Sequence, residues 1–167
     1  MSDDYPLRPF LPADTPALRD LFGQSIEELT AEDYDEEQRL AWMAQAYDAG
    51  AFAKRLGGML TLVVQKDGQH LGFASLKDNA TIDMLYVHPH HVREGVGSAL
   101  VAALEKIAAA RGADKLTTEA SDTAQPFFER LGYQATQRNS VPLEDQWLYN
   151  TTMIKDLTGK REAAATS

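Results

Sequence analysis

The sequence predicts an α/β fold on one mixed sheet, and three observations carry that prediction. Apolar residues recur at helical spacing in some segments and as strand-like runs in others, in the order β-α-α-β-β-β-α-β-α-β-β. Asp67-Gly68 separates two strand-like runs, a strong hairpin signal. The stretch "DMLYVHPHHVREGVGSALVAALEKI" (83–107) passes from a strand through a His-rich turn into a helix opened by Gly95 and Gly97.

Each element follows from local chemistry. Tyr5–Leu11 reads as a short first strand with prolines at its exit, and Pro16 sits near a helix start, where its fixed φ is tolerated. Leu18, Leu21, Phe22, Ile26 and Leu29 give that helix one apolar face. A second helix is expected over Tyr34–Ala46, with Leu40, Met43 and Ala44 turned inward among acidic neighbours. After the Gly57-Gly58 break come the hairpin and "ATIDMLYV", the third strand of a meander. The glycine-opened helix has Val96, Leu100, Leu104 and Ile107 on its apolar face and Gly112 as its C-terminal cap. "KLTTEAS" reads as a strand, "TAQPFFERL" as a short helix, and "GYQATQR" and "QWLYNTTMI" as closing strands. One domain spans 1–157; residues 158–167 have little to bury and are expected to be mobile.

Composition narrows the function. A chain of 167 residues can bury a core without staples, and it contains no cysteine, so disulfides, thiolate metal sites and cysteine nucleophiles are excluded. The acidic start "MSDDYPLRPF" lacks the features of a signal peptide, and no apolar run suggests a membrane span, so a cytoplasmic location is expected. A formal net charge of −9 argues against nucleic acid or an anionic membrane as the main partner. It suits cationic substrates and plain solubility equally.

Glycine costs about 1 kcal/mol relative to Ala inside a helix, so Gly95 and Gly97 need a reason. The first amides of a helix lack internal acceptors and the helix dipole is positive there, which makes an anion site that glycines let a phosphate approach. A dinucleotide fingerprint fails because Leu100 stands at the third glycine position; a triphosphatase loop fails because Gly97 is followed by Ser98 with no lysine.

A third pattern fits. Leu85, Val87 and Pro89, followed by Val92-Arg93-Glu94-Gly95-Val96-Gly97, resemble the strand-and-helix signature of the GNAT acetyltransferase family. Ala124, Phe127, Phe128, Gly132 and Tyr133 resemble its second signature, in the expected order. "AQPFFERLGY" followed by "WLYNTTM" looks like the YafP-like bacterial branch. The resemblance implies a GNAT-type mixed, mostly antiparallel, twisted sheet of about seven strands flanked by helices. It implies acetyl transfer from acetyl-CoA to a primary amine, of a small molecule before a protein, directly in a ternary complex and without a metal. Many such proteins form homodimers, although no dimer surface is legible here.

The resemblance also distributes roles. Leu85, Tyr86 and Val87 would pair with the pantetheine, and the amides of Arg93, Glu94, Gly95, Val96, Gly97 and Ser98 would hold the pyrophosphate. Val92 occupies the usual Arg/Gln position, and Arg93 is placed to supply the charge. Ser121 stands where a coenzyme-contacting Asn is common, and Phe127 lies by the pantetheine arm or in the core. Asp83, an acid in an apolar strand, is the first candidate base or amine anchor, with a strand-edge salt bridge as its alternative; Glu119 is the next. Phe128 replaces the tyrosine that would protonate the thiolate, so Tyr133 and Tyr149 are the candidate substitutes, with packing in the final sheet as their alternative and solvent as the other proton source. The cluster His88, His90 and His91 reads as an exposed turn. A non-catalytic acyl-CoA-binding module and a binder of another nucleotide remain the rival classes.

Overall fold

Asp67 and Gly68 both take positive φ (52° and 79°), the pair of left-handed residues that a tight hairpin turn requires. That turn joins β2 (Leu60–Lys66) to β3 (Gln69–Lys77). Asp78 and Asn79 repeat the device (φ 53° and 54°) before β4 (Thr81–Val87). The computed structural model describes residues 5–159, so most of the tail expected to be mobile lies outside the described residues.

Seven strands form one sheet in the order β1-β2-β3-β4-β5-β7-β6, with β1 at Leu7–Pro9, β5 at Lys115–Ser121, β6 at Gln134–Leu143 and β7 at Gln146–Asp156. All neighbours are antiparallel except β4 and β5, which are joined through a crossover helix, α4 (Val96–Ala110). A parallel pair needs such a long connection.

The helices divide between the two faces. On one, α4 lays Val96, Leu100, Val101, Leu104 and Ala108 against Ala74, Leu116 and Met153. On the other, α1 (Thr15–Leu29) buries Leu18, Leu21, Phe22 and Ile26 against Val63, Phe73 and Met84, as its periodicity predicts. Gly112 adopts φ 93° just past α4, the left-handed stop that its position indicated.

The second helix differs from expectation. It runs only over Glu36–Met43 (α2), opened by an Asp35–Gln38 capping box, and tightens into a 3₁₀ turn at Ala44–Ala46. A further helix, α3 (Ala49–Gly57), follows, N-capped by Asp48 and buried through Phe52 and Leu56. Leu40 is half exposed and Ala41 is buried in its place. The rotation follows from Trp42, whose ring meets Tyr34 and Tyr86 edge-on and so sets which face of α2 turns inward.

Candidate active site

The site begins with an irregularity in β4. Ser75 pairs with Met84, but Leu76 pairs with Ile82, which leaves Asp83 as an extra residue in the strand. Ile82 packs in the α4-side core and Met84 in the α1-side core, so Asp83 interrupts the alternation. Such a bulge re-aims the side chain it carries. On its other edge β4 pairs with β5 only at Thr81↔Thr117 and Ile82↔Thr118, where Thr118 Oγ1 also donates to the Ile82 carbonyl at 3.1 Å. Asp83 and Glu119 are the first residues past that last pair, so two carboxylates flank the point where the strands separate.

A cleft of about 1120 Å³ occupies the opening, and the Leu85–Val87 edge runs along it. Its volume suits a coenzyme-sized ligand. At one end lie Arg93, Gly95, Gly97 and Ser98. The chain there alternates in hand: Arg93 has φ 62° and Gly95 φ 89°, with Glu94 between them outside the left-handed region and helical residues following. Alternation of this kind turns successive amides toward one point and makes an anion-binding concavity. The first helical bond runs from the Ala99 amide to the Gly95 carbonyl (3.0 Å), so the amides at the very start of α4 lack intrahelical acceptors. These features fit a pyrophosphate.

The two glycines answer to different demands. Gly95 is required by its left-handed backbone. A Cβ at Gly97 would lie 3.1 and 3.3 Å from the Phe127 ring and 3.6 Å from Val87 Cγ2. Gly97 therefore lets α4 approach α5 (Gln125–Arg130), a packing reason where the sequence suggested close approach of a phosphate.

Of the residues named from sequence, Asp83, Leu85, Tyr86, Val87, Val92, Arg93, Gly95, Gly97, Ser98, Glu119, Ser121 and Phe127 line the cleft. Ser121 Oγ accepts from the Ala124 amide at 3.1 Å, holding the turn into α5. Val96 is buried against the sheet, and the Glu94 side chain pairs with His91 at 3.3 Å, so neither side chain belongs to the cleft lining. His90 donates its amide to His88 Nδ1, which organises the His-rich turn, and no group of three or more His, Cys, Asp or Glu is placed to hold a metal among the described residues.

The structure places Tyr133 away from the cleft. Its ring is buried against Phe128, and its hydroxyl donates to Glu105 Oε2 at 2.9 Å. Burial, with the Glu105 charge in second place, holds the phenol well above its usual range. It lies outside the cleft lining, on the α4-side core, because Gly132 turns the chain back onto that core. Phe128 shares that burial, so the aromatic pair at 128 and 133 supports packing.

Three residues went unnoticed in the sequence as site candidates. Arg55, in the last turn of α3, reaches Asp83 Oδ2 through Nε (3.3 Å) and Nη2 (3.0 Å). Asp83 thus forms the salt bridge offered as its alternative while still lining the cleft. Trp42 Nε1 donates to Tyr86 Oη at 3.1 Å, and burial pushes the Tyr86 phenol up to about 12, so it stays protonated at ordinary pH. Tyr34 donates to the Tyr149 carbonyl (2.6 Å) and accepts from the Asp122 amide (3.0 Å), tying the α1–α2 loop to β7 and to the end of β5. No local pattern marks these residues; each matters through a partner far away in the chain. Glu119 carries no hydrogen bond or ion pair on its carboxylate among the described residues, and its side chain lies in the cleft lining.

Comparison with known proteins shows the family and the fold. Residues 30–157 match the family model described as an acetyltransferase (GNAT) domain. The chain is 33% identical over 147 residues to the uncharacterized N-acetyltransferase YafP of Escherichia coli (strain K12), covering 88% of this chain and 93% of that one. Among solved structures, a GCN5-related N-acetyltransferase from Rhodopseudomonas palustris superimposes with a TM-score of 0.91 at 51% identity, over 93% of this chain and 98% of the other. The PaiA N-acetyltransferase of Thermoplasma acidophilum, in complex with coenzyme A, shares the fold at a TM-score of 0.75 and 19% identity, over 92% and 99% of the two chains.

Proposed function

The chain belongs to the GNAT acetyltransferase family, and from that premise we propose that it moves an acetyl group from acetyl-CoA to the primary amine of a small molecule by direct attack in a ternary complex. One observation carries the proposal. A single cleft joins the amide-rich start of α4 to two carboxylates where β4 and β5 part.

The thioester supplies an activated acyl group; the protein supplies position and charge. The amides from Arg93 to Ser98 hold the pyrophosphate, and the Arg93 guanidinium, which has no ion pair among the described residues, adds charge at the cleft. The β4 edge at Leu85–Val87 aligns the pantetheine, and a backbone N–H there polarises the thioester carbonyl. Asp83, held by Arg55, anchors the incoming ammonium. Glu119, which has no partner among the described residues, takes its proton directly or through one water. The amine nitrogen then bonds to the acyl carbon as the carbon–sulfur bond breaks, and the surplus proton left on that nitrogen passes to solvent. The departing thiolate takes its proton from solvent or from Tyr149, which lines the cleft, because Phe128 has no hydroxyl and Tyr133 is committed to Glu105.

The α2 and β7 segments beside that end of the cleft are tied together. Gln38 Nε2 donates to the Trp147 carbonyl (2.8 Å), Gln146 donates to Glu37 (3.3 Å), and Tyr34 ties the same region to β7. Together they tie α2 and the α1–α2 loop to the β7 hairpin, a braced arrangement that suits a small acceptor.

Titration calorimetry with acetyl-CoA, followed by coenzyme A release over a panel of amines, tests the proposal. Micromolar binding with turnover of small amines is expected. Tighter binding of a plain nucleotide, or binding without turnover on a broad panel, overturns it.

A further inference from the structure

The Arg55–Asp83 pair is only half used. An arginine and a carboxylate bond most strongly side by side, through two nitrogens and two oxygens. Here Nε and Nη2 both converge on Oδ2, leaving Arg55 Nη1 and Asp83 Oδ1 without partners among the described residues. Both residues line the cleft, with side chains 39% and 24% exposed, so the pair is within reach of a ligand there.

Arg55 is also singular in its place. Among the arginines of the cleft lining, Arg93 belongs to the turn before α4 and Arg130 to α5, so among the described residues Arg55 alone supplies a guanidinium to the acceptor half. Nearby Arg19 is occupied by the carbonyls of Ala46 (2.6 Å) and Tyr47 (2.8 Å), and Arg39 by the Tyr34 carbonyl (2.6 Å). The walls around the pair are mostly ring faces and apolar side chains, with Ser25, Gln45 and the Glu119 carboxylate as polar groups in the same lining. Trp42 spends its N–H on Tyr86, and Tyr34 spends its hydroxyl on Tyr149 and Asp122, while Ile26 and Leu29 add apolar surface.

A vacant guanidinium N–H, a vacant carboxylate oxygen and an apolar surround describe a receptor for a molecule bearing both charges and an apolar body. We infer that the acceptor is an amino acid with an aromatic or large apolar side chain, and that Arg55 is the specificity residue that reads its carboxylate. The ammonium lies between Asp83 Oδ1 and Glu119, and the side chain lies against Trp42 and Tyr34. This inference rests on the acetyltransferase reading above and deepens it by naming the acceptor class.

Matched pairs test it: phenylalanine against phenethylamine and leucine against isoamylamine, which differ only in the carboxylate. Coenzyme A release by the wild-type protein is expected to favour the amino acids by about 10- to 100-fold in kcat/KM, the value of one charge-assisted hydrogen bond. Arg55→Gln should bring that ratio close to one, chiefly by raising KM for the amino acids, and Arg55→Lys should restore part of it. A ratio taken within one variant is insensitive to lost folded protein. Acetyl-CoA affinity measured in parallel should stay within threefold of wild type. A wild-type preference for the decarboxylated amines overturns the inference, as does an unchanged ratio in Arg55→Gln or turnover of neither amino acid. If acetyl-CoA itself does not bind, the acetyltransferase reading fails first and takes this inference with it.

Discussion

Replacing Gly95 by alanine isolates what the left-handed residue before α4 does. With φ at 89°, the new Cβ meets a strain of about 1–2 kcal/mol, and no helix propensity is gained because residue 95 precedes the first helical residue. If the turn keeps its shape, the strain appears as lost stability, equivalent to a fall of about 2–8 °C in Tm for a chain of this size. If the turn relaxes instead, the amides swing off their common point, and coenzyme binding must reimpose the strain. Acetyl-CoA affinity then falls by about 5- to 30-fold, since 1.4 kcal/mol corresponds to a factor of ten. Thermal unfolding and calorimetric titration divide the loss between the two. Native Tm together with native affinity would refute the argument that this backbone conformation builds the donor site. Gly97→Ala provides the contrast: overpacking against Phe127 costs about 1–3 kcal/mol and the helix recovers about 1, leaving a net loss of about 0–2. Adding Phe127→Leu should recover that loss; no recovery would remove the packing explanation for Gly97.

Glu119→Gln should lower kcat by about 10²-fold or more with acetyl-CoA affinity unchanged, and an intact rate at neutral pH would remove Glu119 as the base. Tyr133→Phe should leave kcat within about twofold and reduce stability by about 1 kcal/mol, because only the bond to Glu105 is lost; a large fall in kcat would return Tyr133 to the chemistry. Asp14, buried, accepts from Arg8 Nη1 (2.8 Å) and Nη2 (2.6 Å), the Leu11 amide (2.8 Å) and His70 Nε2 (2.9 Å), and Arg8 foremost holds its carboxyl well below the usual range. Its folded value is depressed, so its contribution is complete above about pH 4 and is lost only as pH falls toward the folded value. Asp14→Asn should cost about 2–4 kcal/mol at pH 7 in urea unfolding and much less near pH 2; equal losses at both would contradict the ion pair. Gly72→Val should be severely destabilising, because even a Cβ there would stand 2.9 Å from Val96 Cγ1 and 3.0 Å from the Tyr86 carbonyl; native-like urea unfolding would be the contrary result.

The sequence by itself determined whatever depends on neighbours in the chain. The Asp67-Gly68 turn, the apolar face of α1, the left-handed stop at Gly112 and the glycine-opened start of α4 are written in local propensities and sterics, which a short window contains. The same window shows an acid at 83 inside an apolar strand, and so points to half of the site. Tertiary structure decided the rest. Arg55 meets Asp83 from 28 residues away, Tyr133 meets Glu105 across the same separation, and Tyr34 reaches Tyr149 across 115. The bulge that turns Asp83 outward exists only because Leu76 pairs with Ile82, and the cleft only because β4 and β5 stop pairing there. Such contacts depend on which strand edge and which helix face are brought together, and that is settled by packing the whole core rather than by any segment's own preference. The donor end of the cleft follows a continuous run of sequence and was legible in it. The acceptor end is assembled from α1, α2, α3 and β7, and its chemistry appears only when they meet.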